Sequence, residues 1–189
     1  VLMTLEVRKS HTIILKPMQF CVGFFVNFLY RIFERNSNFR MKSIQKILKK
    51  KKYFKVKLKR IATNHLELKA KINGVKGRFI LDTGASNSCV GLDRIEYFNL
   101  DAQESETKAA GAGATDMETL QSENNSLKIG DWKTNKCHLV LFNLSHVNKA
   151  LTQHNANEVH GIIGADILES GKAFIDYKQK ILYLKKSKK

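Results

Sequence analysis

The sequence FILDTGAS, residues 79–86, brings an aspartate to the end of an apolar strand and follows it directly with threonine and glycine. Gly84 allows a tight turn in which one stretch of backbone approaches another closely. A carboxylate at the tip of a buried strand is expected to have little water around it, so desolvation and neighbouring dipoles set its pKa. Asp82 is therefore the first candidate for a functional group. Taken alone, the stretch also fits an ordinary turn that the aspartate stabilises by accepting backbone hydrogen bonds.

The sequence around this stretch alternates apolar and polar residues in the manner typical of β-strands. Residues 65–72 alternate, Asn73-Gly74 is a strong signal for a type I′ hairpin turn, and residues 75–81 return as the partner strand. Residues 136–142 indicate a buried strand, and residues 173–184 a closing hairpin. The pattern predicts a mostly β domain of many short strands with little helix.

Two further features follow Asp82 along the chain. Gly111-Ala112-Gly113 lies in a stretch of small residues, and Ile162-Ile163-Gly164 ends an apolar strand and opens a short helix. Together with Asp-Thr-Gly-Ala and the closing hairpin, this order of motifs resembles the retropepsin family of aspartic proteases, over about residues 64–184. The resemblance implies a small, mostly β, closed acid-protease barrel with one short C-terminal helix.

The resemblance also implies a role for each matching residue. Asp82 would be the catalytic aspartate, supported by the rest of its loop, and no metal or organic cofactor would be needed. The other roles implied are loop support for Thr83, Gly84 and Ala85, a substrate-covering flap for Gly111 and Gly113, and a buttress behind the loop for Ile162, Ile163 and Gly164.

The number of Asp-Thr-Gly sequences constrains the assembly, because the chain contains only one. Aspartic proteolysis in this family needs two carboxylates that share one proton, and like charges a few Å apart cannot both ionise. The expected protein is therefore a homodimer in which Asp82 of each subunit meets at a twofold axis and hydrolyses a peptide or protein substrate. A catalytically silent homodimeric binding module on the same fold is the alternative.

The sequence departs from the viral members of the family at two positions. There an aspartate follows the alanine and an arginine follows the glycine of the second motif, and the two form an ion pair. Ser86 and Ala165 occupy these positions here, and Asp166 comes one place later. Dimer contacts therefore cannot be copied from the viral enzymes.

Positive charge is concentrated at the ends of the chain. Residues 1–60 hold 16 Lys/Arg against 2 acidic residues, whereas residues 61–189 hold 17 against 15. This distribution assigns the net charge of +16 to the termini rather than to a folded nucleic-acid-binding face, so no nucleic-acid partner is expected.

The chain divides into residues 1–40, a basic segment 41–60 and the domain 61–189. The apolar run 18–30 is shorter than the ~20 residues that cross a bilayer. It fits an unstructured or non-native extension, with Met41 as the start, a membrane-associated anchor, or a cleaved signal. Membrane association through residues 1–60 thus stays open. The compartment is not determined by the sequence, and the cytoplasm is favoured. Cys21, Cys89 and Cys137 have no metal-ligand spacing, and their odd, sparse number suits a reducing compartment or indifference to redox state.

Overall fold

A computed structural model describes residues 44–105, 109–111, 114–117 and 119–185. The chain divides after Gln45 into two units, and the second, Lys46–Lys189, contains every feature discussed below. The proposed N-terminal anchor, the glycine at 113 and Cys21 lie outside the described residues. Within the described part, no helix is both long and apolar enough to cross a membrane.

Thirteen described strands and three helices make up this part of the chain, with a helix α1 at residues 44–50. The strands are β1 Tyr53–Lys57, β2 Lys59–Arg60, β3 Leu66–Ile72, β4 Val75–Leu81, β5 Cys89–Gly91, β6 Gln103–Glu104, β7 Ala109–Gly111, β8 Ala114–Met117, β9 Leu120–Ile129, β10 Trp132–Phe142, β11 Gly161–Ile163, β12 Phe174–Asp176 and β13 Ile181–Lys185. The remaining helices are α2 Ser145–Gln153 and α3 Ala165–Ser170, and a 3₁₀ turn spans Leu92–Arg94. The predicted mostly β character is confirmed.

Six strands form a closed barrel. They follow the order β3-β4-β11-β5-β10-β9, and β9 returns to pair with β3. The inward residues of β3 are its alternate apolar ones, as the sequence predicts, and Ile72, Phe79, Leu139 and Ile163 are among the fully buried side chains of the core. A separate antiparallel sheet, β1-β13-β12, contains the predicted closing hairpin.

Helix α2 was not predicted, and it covers the outside of the barrel next to the Asp82 loop. Its Leu151 packs against Ile80 of β4 and Val159, and Val147 contacts the neighbouring apolar clusters that include Ile162. Because the helix covers β4 from outside while the core covers it from inside, residues 79–81 are apolar without alternation. Its apolar residues Val147, Ala150 and Leu151 have helical spacing, but the segment is short and contains several residues of low helix propensity, and the sequence analysis missed it.

The barrel closes through only two residue pairs, Lys71 with Lys128 and Ile72 with Leu127. Asn73 reinforces the closure from the hairpin turn, where it and Gly74 adopt φ of 47° and 86° as a type I′ turn requires. Its side-chain oxygen accepts the backbone N–H of Ser126 at 2.9 Å. Its nitrogen donates to Asn125 Oδ1 at 2.8 Å and lies 3.2 Å from the carbonyl oxygens of residues 98 and 99.

Replacing this side chain should open the β3–β9 junction. We expect Asn73→Ala to lower the free energy of unfolding by about 2–3 kcal/mol, since it combines the left-handed backbone penalty with lost hydrogen bonds. The matched control is Asn155→Ala, an exposed position with φ of 56°, which should lose about 1 kcal/mol. Urea unfolding measures both variants, and equal losses would contradict the role of the tertiary hydrogen bonds.

Candidate active site

The Asp82 loop joins two strands that do not pair with each other. Residues 82–88 connect β4 to β5, and β11 lies between them, parallel to β4 and antiparallel to β5. Ile163 is opposite Leu81, and its carbonyl oxygen accepts the Asp82 N–H at 3.0 Å. Asp82 is therefore fixed where β4 ends, next to the end of the parallel strand β11. Strand β11, which contains the second motif, lies between β4 and β5.

The Asp82 carboxylate is held on one side and open on the other. Its Oδ1 accepts the backbone N–H of Gly84 at 2.8 Å. Asp82, Thr83 and Gly84 are all exposed in the single chain, whereas Leu81 before them is buried. The expectation that this carboxylate has little solvent around it is therefore wrong for one chain, because nothing among the described residues covers the loop tip.

Gly164 lets the two motifs contact through their backbones. A Cβ at this position would lie 2.7 Å from the carbonyl oxygen of Ala85 and 2.8 Å from that of Asn87. The contact is completed by hydrogen bonds from the Ala165 N–H to the Ala85 oxygen at 2.7 Å and from the Asp166 N–H to the Ser86 oxygen at 3.2 Å. A side chain at Gly164 would force the loop away from α3, because the atoms it meets are backbone and cannot rotate aside.

A buried side-chain bridge also connects the two motifs, and the sequence analysis missed it. Ser88 is fully buried, its hydroxyl donates to Asp166 Oδ1 at 2.7 Å, and it accepts the Gly164 N–H at 2.9 Å. In the viral proteins an ion pair joins the same two segments, at the positions of Ser86 and Ala165. The bridge here uses Ser88, two residues after the first position, and Asp166, one residue after the second. Only the position of Asp166 was visible in the sequence, since a serine before an apolar strand carries no distinctive signal.

The structure brings most of the predicted residues together around this loop. Asp82, Thr83, Gly84 and Ala85 form it, and Ile162, Ile163 and Gly164 lie directly beneath it. Gly111 ends β7, which pairs with β8 as a two-stranded hairpin in which Gly111 is opposite Ala114. The predicted flap position therefore lies at a hairpin end, while residue 113 lies outside the described residues. The roles of these residues stay predictions.

The described thiols have no reactive character. Cys89 and Cys137 are free and buried. Burial raises the pKa of each to about 12, and for Cys89 the carboxylates of Asp166 and Asp82 add to the increase. These cysteines behave as the small buried apolar residues that the sequence predicts. No group of three histidine, cysteine or acidic side chains in the described ranges could hold a metal ion.

His160 anchors the start of β11. Its Nδ1 accepts the backbone N–H of Arg78 at 3.1 Å, which requires an unprotonated nitrogen at that position, and its ring stacks on Tyr97 with centroids 5.3 Å apart. Burial lowers the pKa of His160, and the neighbouring cation of Arg94 lowers it further. The ring therefore supports the strand in its neutral form.

Comparison with models of protein families identifies the family of the chain. A sequence model of the aspartyl protease family matches residues 68–167, which is more than half of the chain. Comparison with curated protein sequences gave no match.

Three solved structures are similar. A retropepsin-like aspartic protease from Rickettsia conorii has 19% identity and a TM-score of 0.49, over 71% of this chain and 92% of that chain. EIAV protease complexed with the inhibitor HBY-793 has 19% identity and a TM-score of 0.45, over 59% and 92%. The retroviral protease-like domain of Ddi1 from Leishmania major has 17% identity and a TM-score of 0.43, over 64% and 87%.

A six-strand barrel with Asp-Thr-Gly at the end of one of its strands defines the class of small, retropepsin-like aspartic proteases, and the predicted fold class is confirmed. The chain belongs to the aspartyl protease family.

The Ser88 bridge can be tested by removing one hydroxyl. Ser88→Ala leaves the Gly164 N–H and a partly buried carboxylate without their partner, so we expect the free energy of unfolding to fall by about 2–3 kcal/mol. Ser86→Ala, at an exposed position two residues earlier, should change it by less than about 0.5 kcal/mol. Equal urea midpoints for Ser88→Ala and wild type would contradict the bridge.

The lowered pKa of His160 predicts a pH dependence of stability. As pH falls through about 6.5, the unfolded chain takes up a proton before the folded chain does, so unfolding becomes easier. Stability present at pH 7.5 should therefore be partly lost by pH 5, and His160→Gln, whose amide oxygen can still accept the Arg78 N–H, should lose less over the same range. The control is His154→Gln at an exposed position. Parallel pH curves for wild type and His160→Gln would exclude this contribution.

Proposed function

We propose that the protein is an aspartic endopeptidase that acts as a homodimer, with one Asp82 from each subunit forming the catalytic pair. The observation that carries the proposal is the Asp82 carboxylate, which is fixed by the Gly84 N–H at 2.8 Å and directed out of the chain at an exposed loop tip. A carboxylate that is held in place but exposed to solvent is what we expect of one half of a catalytic site that a second subunit completes. Membership of the aspartyl protease family supports the same conclusion.

The chemistry follows from placing two such carboxylates a few Å apart. They hold one proton between them, and the pair titrates as a unit. The ionised partner accepts a proton from a water molecule, whose oxygen attacks the scissile carbonyl carbon, while the protonated partner donates a hydrogen bond to the carbonyl oxygen. The C–N bond then breaks as its nitrogen takes one proton from the pair, which is left with the single proton it started with. The Gly84 N–H stabilises the ionised carboxylate by donating a hydrogen bond to it.

The dimer would use the exposed residues of the loop. Thr83 would hydrogen-bond across the twofold axis and hold the two loops at a fixed separation, and Gly84 would allow the close approach. The bonds from Ala165 and Asp166 to the Asp82 loop, together with the Ser88 bridge, keep the loop rigid, so little ordering is left to be done when a second subunit binds.

The substrate would bind as an extended strand between the loop and the β7–β8 hairpin. Such binding satisfies backbone hydrogen bonds along the peptide, and alternate side chains enter pockets that set the cleavage preference. The hairpin would fold over the peptide and exclude bulk solvent from the site, apart from the water molecule that reacts.

Substituting the aspartate tests the catalytic role. We expect Asp82→Asn to reduce peptide cleavage by about 10²–10⁴-fold, because asparagine can neither accept nor release the shared proton. Asp101→Asn, at an exposed position in a loop outside the site, should cleave like wild type. The assay follows cleavage of a peptide library by mass spectrometry at acidic to neutral pH. Cleavage that survives in Asp82→Asn would end the hypothesis, and a folded dimer that binds peptides without cleaving any would indicate the silent binding module.

Mixing subunits tests whether two chains share one site. With wild-type chain at a fixed amount, an equal amount of Asp82→Asn chain should reduce activity to roughly half, because random exchange leaves half of the wild-type chains in inactive mixed dimers. Asp101→Asn chain added in the same way should raise the total activity. Activity unchanged by Asp82→Asn chain under conditions of subunit exchange would indicate that one chain is sufficient.

A further inference from the structure

Cationic side chains line a cleft on the outside of the barrel, away from the Asp82 loop. The cleft has a volume of about 600 Å³, and its lining includes Lys69, Lys71, Lys76, Arg78, Lys128 and His160 but no acidic residue. The expectation from the charge tally, that positive charge belongs to the ends of the chain, is wrong for this face. Net charge over residues 61–189 is nearly balanced, but the fold places the cations together.

Strand register explains how the cations meet. Lys69 is opposite Arg78 and Lys71 is opposite Lys76 across β3 and β4, and Lys71 is also opposite Lys128 of β9. Strand alternation turns the apolar residues between them into the core, so all five cations share the outer face. Like charges in directly opposite positions destabilise a sheet.

None of this repulsion is relieved by an ion pair within the described residues. There, the ion pairs are those of Arg94 with Asp93 and Glu158. A ligand with closely spaced negative charges would relieve the repulsion.

We propose that this cleft is an exosite that binds an acidic, extended segment of the protein substrate. Residues two apart on one strand are separated by about 6.6–6.8 Å, which is also the spacing of alternate side chains in an extended peptide. Carboxylates at alternate positions of such a segment would therefore meet the cations of one strand in register. The inference rests on the proposed protease function, whose substrate class it extends.

The lining favours an acidic peptide over single-stranded nucleic acid. Nucleic-acid grooves combine positive charge with exposed aromatic rings that stack on bases. The cleft lining contains no Phe, Tyr or Trp, and its one planar ring, His160, already stacks on Tyr97. Four of its five cations are lysines, which act as point charges for carboxylates rather than as stacking surfaces.

The cleft lies within reach of the Asp82 loop for an extended substrate. Lys76 and Arg78 precede Asp82 by six and four residues, which corresponds to about 20 and 13 Å along β4. Because α2 covers Ile80 between them, the substrate segment would pass around this helix and needs more residues than the direct distance requires. Binding there acts equally on the ground state and the transition state, so it should lower KM without changing kcat.

The test uses binding, so that it does not depend on catalysis. The probe is a fluorescein-labelled peptide of about eight alternating glutamates and threonines, titrated by anisotropy into the full chain carrying Asp82→Asn, at low and at physiological ionic strength. Lys71→Gln/Lys76→Gln should weaken binding roughly five- to tenfold. The control Lys149→Gln/Lys178→Gln removes the same charge from two exposed positions elsewhere and should weaken it less than about twofold. Relief of repulsion also predicts that the cleft variant is no less stable than the control.

Lysine acetylation read by mass spectrometry shows where the probe binds, despite the basic residues 1–60. We expect the acidic peptide to protect Lys71 and Lys76 but not Lys149 and Lys178. Absence of this protection, or equal affinities of the two double variants, would overturn the proposal. An oligothymidylate of equal charge that binds more tightly and protects the same lysines would overturn it in favour of nucleic acid. Loss of cleavage in every assay with the peptide still bound would count against the protease function and leave the anion site standing.

Discussion

The Asp82 loop depends on one close backbone contact, between residues 85–87 and Gly164. The contact brings together two motifs that lie about eighty residues apart in the sequence, and it is possible only because Gly164 has no side chain in a position where a Cβ would meet two carbonyl oxygens within 3 Å. Around it, the Ser88 hydroxyl and two backbone hydrogen bonds hold the loop to α3. This contact sets the position of the loop, and within the loop the Gly84 N–H fixes the Asp82 carboxylate.

The rigidity of this loop has a consequence for assembly. A carboxylate on a mobile loop would have to be ordered when the second subunit binds, and that ordering costs free energy. Here the loop is already held by β11, α3 and the Ser88 bridge, while its tip stays exposed. Helix α2 adds to this support from outside, because its Asn148 side chain exchanges two hydrogen bonds with the backbone of Val159 just before β11. The result is a preorganised surface that a second copy of the chain would complete.

The basic cleft differs from the Asp82 loop, because its charged residues lower the stability of the fold instead of adding to it. Five cations share the outer face of β3, β4 and β9, and none of them forms an ion pair within the described residues, so their mutual repulsion costs the fold stability. The strands withstand the cost because their inner faces are fully packed: Ile72, Phe79 and Ile129 are all completely buried. A barrel of six strands thus carries an exposed acidic loop tip at one place and an exposed basic cleft at another.

The sequence by itself determined the elements whose signals are local. Alternation fixed the inward face of β3, Asn73-Gly74 fixed the hairpin turn, and the apolar run before Asp82 placed the aspartate at a strand end, because these depend on side-chain period and on φ alone. The mostly β fold followed from the same signals, and the second motif from the resemblance to the retropepsin family. Only the tertiary structure decided what depends on residues far apart in the chain. The Ser88–Asp166 bridge, the packing of α2 on the barrel and the exposure of Asp82 in a single chain depend on how distant segments pack together. The gathering of lysines from three strands depends on the register between strands, which no single segment of the sequence specifies.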